Sequence, residues 1–253
     1  MRNKLFSVKS AVDLIEEGDT VCTVGFTLMG ACETILKEIE QRFLEKGTPA
    51  DLTLLHSAGQ SDRVGGIERL AHKGLIKRII GSHWGLAPKW GELIYRNDVE
   101  AHCFPQGQIA HLYRAMAAGK PGNFSKVGLG TFIDPRVEGG TMNDAAKRAG
   151  SLLKVIEILG EEYLFYPAIP IHVAVIRGTT VDENGNLTME DEAIKLEAIS
   201  VAQATKRYGG KVIVQAKNLA RRGTLHPKEV VVPGTYVDAI VLAEDPMNEH
   251  RQS

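Results

Sequence analysis

Apolar residues in this chain recur in two alternating rhythms. Asp19-Thr20-Val21-Cys22-Thr23-Val24-Gly25-Phe26 is apolar without strict alternation and ends in a glycine turn, which predicts a strand buried on both faces. From Cys32 to Lys46 the rhythm becomes helical. Ile35, Leu36, Ile39 and Phe43 share one face, while Lys37, Glu38, Gln41 and Arg42 share the other. The alternation then repeats with strands at 51–56, 76–80 and 99–104. A short helix is expected at 67–72, and helices at 88–95 and 109–118. An opening helix over 7–17, capped by Ser10 and stopped by Gly18, precedes them. Strand and helix in turn, with short connections, predict an α/β fold.

Beyond residue 150 the pattern shifts. Strands are expected at 152–158 and 163–165 around Gly160, then at 171–177, 211–216, 229–232 and 237–242. Asn184-Gly185 between two strand-like runs reads as a hairpin turn with positive φ at both residues. A long helix is expected over 190–208. Thr188 and Asp191 stand at capping-box spacing, and Glu190, Asp191 and Glu192 decorate its start. The fold class is therefore α/β, with a mixed, mostly parallel open sheet and helices on both faces. One domain over 1–243 is expected, followed by a polar tail or linker over 244–253 that has no apolar period.

Composition narrows the function. The 253 residues carry 30 Lys+Arg against 31 Asp+Glu, a net charge of -1, and show no basic stripe to bind nucleic acid. A run of 18 apolar residues, as a membrane span needs, is not found. The basic start Met1-Arg2-Asn3-Lys4 is not followed by a signal-peptide core, so the cytoplasm is the expected compartment. Cys22, Cys32 and Cys103 are odd in number and scattered. They form neither a disulfide framework nor a metal motif, and no metal site is expected.

Candidate chemistry gathers where strands end, since ligands of open α/β sheets collect at the carboxyl ends of their strands. Gly25-Phe26-Thr27-Leu28-Met29-Gly30 lies between a strand and a helix. It is either an anion site at a helix N-terminus or a tight turn, and its spacing matches no nucleotide fingerprint. His56 and His83 each follow a strand and are candidate pocket residues; for both, a structural role in the loop is the competing reading. The densest signal is 104–140. Phe104-Pro105-Gln106-Gly107, Gly119-Lys120-Pro121-Gly122, Gly128-Leu129-Gly130-Thr131 and Glu138-Gly139-Gly140 put four glycine punctuations around one amide side chain, Gln106. Gln106, just ahead of a helix, suits a neutral donor aimed at a carboxylate or carbonyl oxygen.

These segments, in this order, resemble the family I CoA-transferases. Val24-Gly25-Phe26, Pro105-Gln106-Gly107, the three later glycine motifs and Gly185-Asn186-Leu187 carry the resemblance over nearly the whole chain, to about Ala243. It is nearest to the amino-terminal, α-type half of propionate, acetate and 3-ketoacid CoA-transferases. The resemblance implies a CoA-transferase that moves CoA between a short-chain acyl-CoA and a carboxylic acid. CoA thioester is then a substrate, with no permanently bound cofactor. The nucleophilic glutamate comes from a β-type half, as a separate subunit or as more of a longer chain, and a higher oligomer is expected. A carboxylate nucleophile conserves thioester energy in the covalent intermediate. Gln106 inherits the role of positioning the reacting carboxylate or oxyanion. Gly25, Phe26, Pro105, Gly107, His56 and His83 are the substrate-binding candidates. Asp182-Glu183-Asn184-Gly185 imitates the family's nucleophile turn but lies in the first half, so Glu183 is read as a decoy. Val24 stands where the family often has a first glycine. The competing functions are a non-catalytic small-molecule-binding module of the same fold and a sugar-phosphate isomerase. The isomerase would need a basic phosphate site, and the sequence shows none.

Overall fold

Seven parallel strands form the spine of the molecule in the computed structural model, which describes residues 4–252. Numbered along the chain, they are β1 (Thr20–Thr23), β2 (Leu52–His56), β3 (Ile76–Gly81), β4 (Glu100–Cys103), β8 (Val173–Asp182), β10 (Lys211–Ala220) and β12 (Ala239–Leu242). Their spatial order is β12-β10-β8-β1-β2-β3-β4. The short β9 (Leu187–Thr188) and β11 (Val230–Val232) add antiparallel pairing alongside the last residues of β8. This is the mostly parallel open α/β sheet expected from the alternating rhythm. All four positions of β1 are buried, so helices cover both its faces.

The helices follow the apolar stripes. Helix α1 (Val8–Val12) is shorter than the sequence suggests. Its cap is Ser7 rather than Ser10, and Ser7 Oγ accepts from the Ser10 amide at 3.2 Å. Helix α2 (Glu33–Lys46) buries Ile35, Leu36 and Ile39, and ends at Gly47, whose φ of 70° lets its amide close on Phe43 O. A single 3-10 turn, Gly66–Leu70, stands where the short helix was expected. Helices α3 (Pro88–Tyr95), α4 (Gln106–Ala117) and α6 (Ala198–Arg207) complete the main layers, and α4 packs along α6.

Four elements depart from the pattern reading. β5 (Gly122–Ser125) pairs with β7 (Glu161–Pro167) and then β6 (Lys154–Ile158) in a separate three-stranded antiparallel sheet. Only the two later strands are visible as apolar runs. Helix α5 (Asp144–Ala149) was not foreseen, although Asn143 caps it by accepting from the Ala146 amide at 3.0 Å. The long helix expected from Glu190 begins only at Ala198. Thr188 is taken into β9, and the Asp191 amide bonds to Thr179 Oγ1, so tertiary partners override the capping pattern. The 182–188 hairpin has a three-residue loop, Glu183-Asn184-Gly185, rather than a two-residue Asn-Gly turn, since the Asp182 amide bonds to Asn186 O at 3.0 Å. The Gly185 amide closes on Asp182 O, and of Asn184 and Gly185 only Gly185 has positive φ, at 92°.

The stretch expected as a polar tail folds back on the body. Helix α7 (Pro246–Glu249) docks so that Glu249 and His250 are buried. Thr34 Oγ1 donates to Glu249 Oε2 at 2.8 Å, and Arg251 Nη1 pairs with Asp62 Oδ2 at 3.0 Å. Its polar residues escaped an apolar reading because their partners lie on the body, far away in sequence. Ser253 and the basic Met1-Arg2-Asn3 lie outside the described residues. Among the described residues no helix is long and apolar enough to cross a membrane.

Candidate active site

The candidate residues stand in a row because their strands do. β1, β2, β3 and β4 are consecutive parallel neighbours, and their carboxyl ends lead directly into Val24-Gly25-Phe26, Ser57, Ser82-His83 and Phe104-Pro105-Gln106-Gly107. At a strand spacing of about 4.8 Å, the row from Gly25 to Gln106 crosses three intervals, about 14 Å. That is too long for one small carboxylate.

Gln106 is the first residue of α4 and is exposed. Its side chain makes no hydrogen bond to another described residue. Pro105 at the cap fixes the approach, and Pro105 O takes the Gln108 and Ile109 amides at 2.8 and 3.2 Å. The amides of Gln106 and Gly107, as the first two of the helix, have no acceptor within it. Gly107 has open space where a side chain would stand. The result is a side-chain amide and two backbone N–H groups at one helix start, all neutral donors.

The later glycine motifs build the wall beside it. The Cys103 amide donates to Gly140 O at 2.7 Å, and the Met142 amide donates to Ala101 O at 2.9 Å, so this segment pairs with the edge of β4. Gly140 has a φ of 71°, and a side chain there would meet Cys103 O at 2.5 Å. The preceding loop is clamped by Asp134, which accepts from the Gly130 amide at 2.9 Å and from Arg136 Nη2 at 2.8 Å. Asn123 Nδ2 then ties β5 to Gln108 at 2.8 Å. The segment at 140–142 is thus held against the β4 end that leads into Gln106, while residues 119–122 of the same run lie past the far end of α4.

Gly25 sits in a closed turn. The Phe26 amide donates to Met29 O at 2.8 Å and the Met29 amide to Phe26 O at 2.9 Å, while the Thr27 amide reaches Gly59 O at 2.8 Å. A side chain at Gly25 would crowd Met29 O, the Ala31 amide and Gln60 at 3.2–3.3 Å. Phe26 is exposed. The alternative of an anion site at this helix start is closed by its own residues. Glu33 fills the first turn of α2 and is itself bonded to the Gly66 amide and Arg69, while Gln215 Oε1 takes the Thr34 amide at 3.1 Å. The turn is structural shape, with Gly25 buried inside it and Phe26 exposed.

His56 and His83 separate. His56 is fully buried. Its Nδ1 lies 2.7 Å from Ala58 O and its Nε2 accepts from Trp84 Nε1 at 3.0 Å, so both ring nitrogens are occupied. Burial outweighs the Ala58 bond and lowers its pKa to about 4. Its ring also occupies the space a side chain at Gly81 would need. His56 is therefore part of the floor and does not reach a ligand, which corrects the expectation of a pocket residue. His83 is exposed, with its ring laid over Gly59 at 2.6 Å from where a Cβ would stand. It remains at the row. Glu183 lies in the exposed β8–β9 turn, where its carboxylate accepts from the Arg222 amide at 3.2 Å.

Pattern reading expects Cys22 to be a small buried hydrophobe in its strand, as it is, but misses the partners of three buried groups near the row. Cys22 Sγ meets Tyr113 OH at 3.4 Å, and burial raises the Cys22 thiol to about 12. Ser57 Oγ donates to Glu197 at 3.2 Å. Arg177, 2% exposed, pairs with Glu192 at 2.7 Å. Only Arg177 left a signal, as a cation closing the apolar run 173–176. Among the described residues no group of His, Cys, Asp or Glu could hold a metal ion.

Known proteins are similar to this chain in sequence and fold. The chain is 44% identical over 243 residues to a caffeate CoA-transferase of Acetobacterium woodii, covering 96% of this chain and 46% of that protein. It is 30% identical to the acetoacetyl-CoA:acetate/butyrate CoA transferase alpha subunit of Clostridium acetobutylicum, covering 95% of this chain and 98% of that subunit. A solved acyl-CoA transferase (YdiF) of Escherichia coli O157:H7, in a thioester complex with CoA, superposes with a TM-score of 0.92 at 37% identity. The match covers 96% of this chain and 50% of that one. The chain therefore spans about half the length of the full-length curated relatives it matches. With the model of the coenzyme A transferase family matching residues 6–243, the row of strand ends and the glycine-built wall find their place, and this chain belongs to that family.

Proposed function

We propose that this chain is the α-type half of a CoA-transferase that moves CoA between a short-chain acyl-CoA and a carboxylic acid of the acetate, propionate or 3-keto class. The observation that carries the reading is Gln106, an exposed and unpartnered amide beside two free backbone amides at the start of α4. Such donors stabilise charge that develops on an acyl oxygen, and being neutral they do not trap the free acid. In this reading Gln106, Pro105 and Gly107 hold the reacting carboxyl. His83, Phe26 and Gly25 border the arm of the thioester along the remaining length of the row.

The nucleophilic glutamate is supplied by a β-type half, as a separate subunit or as more of a longer chain. The alpha-subunit name of the Clostridium acetobutylicum relative supports that division. Its carboxylate attacks the acyl carbon and expels CoA thiolate. The thiolate attacks the glutamyl carbonyl of the anhydride and releases the donor acid. The acceptor carboxylate then attacks the glutamyl thioester and expels the thiolate, which attacks the acyl carbonyl of the new anhydride and frees the glutamate. CoA acts as a substrate, no cofactor is held permanently, the assembly is a higher oligomer, and the compartment is the cytoplasm. The test is CoA exchange between acetyl-CoA, propanoyl-CoA, acetoacetyl-CoA or caffeoyl-CoA and free acids. It is run with this chain alone and with a β-type half added. Exchange only in the assembled pair is expected; no exchange with any donor in an assembled pair would sink the reading.

A further inference from the structure

Arg177 stands midway along β8 with its side chain closed off from solvent. A guanidinium has five N–H donors in a fixed fork. Here Nη1 donates to Leu28 O and Ala31 O, both at 3.0 Å. Nε and Nη2 grip the Glu192 carboxylate at 3.1 and 2.7 Å, and Nη2 also reaches Arg251 O at 3.1 Å. Each of the five hydrogens has an acceptor, drawn from three separate stretches of chain.

Two of those acceptors belong to the turn that carries Gly25 and Phe26. Leu28 and Ala31 bracket Met29-Gly30, and the Phe26–Met29 amide exchange ties that half of the turn to the other. The remaining acceptors anchor the fork from behind. Glu192 also receives Gln252 Nε2 at 2.8 Å, and the segment that provides Arg251 O is held to Asp62 and Thr34.

We propose that Arg177 is a positioning residue for the Gly25–Gly30 turn: it sets the height of Gly25 and Phe26 in the row and ties that height to the docked segment 249–252. A lysine cannot replace it, because one ammonium cannot reach two carbonyls in one direction and a carboxylate in another. The consequence for catalysis rests on the reading of this turn as one border of the CoA-transferase cleft.

Hydrogen exchange on the full chain tests the positioning without any activity. In Arg177→Lys and Arg177→Met, the Phe26, Thr27, Met29 and Ala31 amides should exchange at least about 10-fold faster, while amides of β2, β3 and β4 keep their rates. Glu192→Gln, which keeps the shape but weakens the anchor, should loosen the same four amides and serves where the arginine variants do not fold. Unchanged exchange at those amides in a folded variant, or equal acceleration throughout the sheet, overturns the proposal. In the assembled enzyme Arg177→Lys should raise KM for acyl-CoA several-fold with a smaller change in kcat. A loosened turn with unaltered KM would leave the positioning standing and remove the turn from the cleft.

Discussion

Trp84 donates its indole N–H to Nε2 of His56 at 3.0 Å, and this bond fixes which nitrogen of the buried histidine carries its proton. Nδ1 must then be the donor to Ala58 O, and the ring is neutral. Its pKa of about 4 in the folded chain lies below the roughly 6.5 of an unfolded histidine. The unfolded chain therefore binds the extra proton first as pH falls. The stability contributed by neutral His56 is complete above about pH 6.5 and is lost as pH falls through 4, with a slope of up to about 1.4 kcal/mol per pH unit. Urea denaturation at pH 7, 5.5 and 4.5 should show a smaller slope for His56→Gln than for the parent. Equal slopes would mean that His56 is not buried as a neutral ring.

Gln106→Ala should lower exchange in the assembled enzyme by on the order of 10²-fold, as expected for one lost oxyanion donor. Because the side chain is exposed and bonded to no described residue, the melting temperature should not move. A full rate in Gln106→Ala would remove the residue from the chemistry.

The two carboxylates of the β8–β9 turn should behave in opposite ways. Glu183→Ala should leave both exchange and stability nearly intact, since that side chain is exposed and meets one backbone amide. Asp182→Ala should cost roughly 2–3 kcal/mol, because a buried carboxylate bonding to charged-group strength leaves its donors unpaired when removed. Those donors are the Asn184 and Asn186 amides and Asn186 Nδ2, each at 2.9 Å. Chemical denaturation of both variants, alongside the exchange assay, separates them. A large rate loss in Glu183→Ala would restore it as a catalytic candidate.

Glu192, paired with Arg177, adds a second pH dependence at lower pH. Burial opposes its ionisation, but His250, Arg177 and Gln252 around it outweigh that and hold its carboxyl at about 2. The folded value lies below the unfolded one of about 4.3. Its contribution is therefore present above about pH 4.3 and disappears as pH falls through 2. Glu192→Gln should lose stability at neutral pH, by roughly 3–5 kcal/mol as for a broken buried ion pair, and should show a flatter profile between pH 4.3 and 2. Thermal melts across that window check it, and parallel curves for parent and variant would count against the assignment.

The legible part of the molecule is what local pattern controls. β1 through α4 follow the apolar rhythm closely, and the glycines at 25, 107, 128, 130, 139 and 140 all lie on the surface built around the strand ends or in its supporting turns. The illegible part is polar and long-range. Nothing near Glu192 in sequence announces Arg177, fifteen residues earlier, or Gln252, sixty residues later. The same reason hid the docking of Glu249, whose partners Thr34 and Lys37 lie at the start of α2. His56 misled because a histidine at a strand end reads alike whether it faces solvent or Trp84.

The order of the strands has a further consequence for how such a chain can diversify. Gly25, His83 and Gln106 leave the sheet on three different loops, and each loop springs from a strand whose register its neighbours already fix. A loop can lengthen, shorten or exchange residues without sliding the next strand. The two ends of the row can therefore drift independently, on a scaffold that selection need not rebuild.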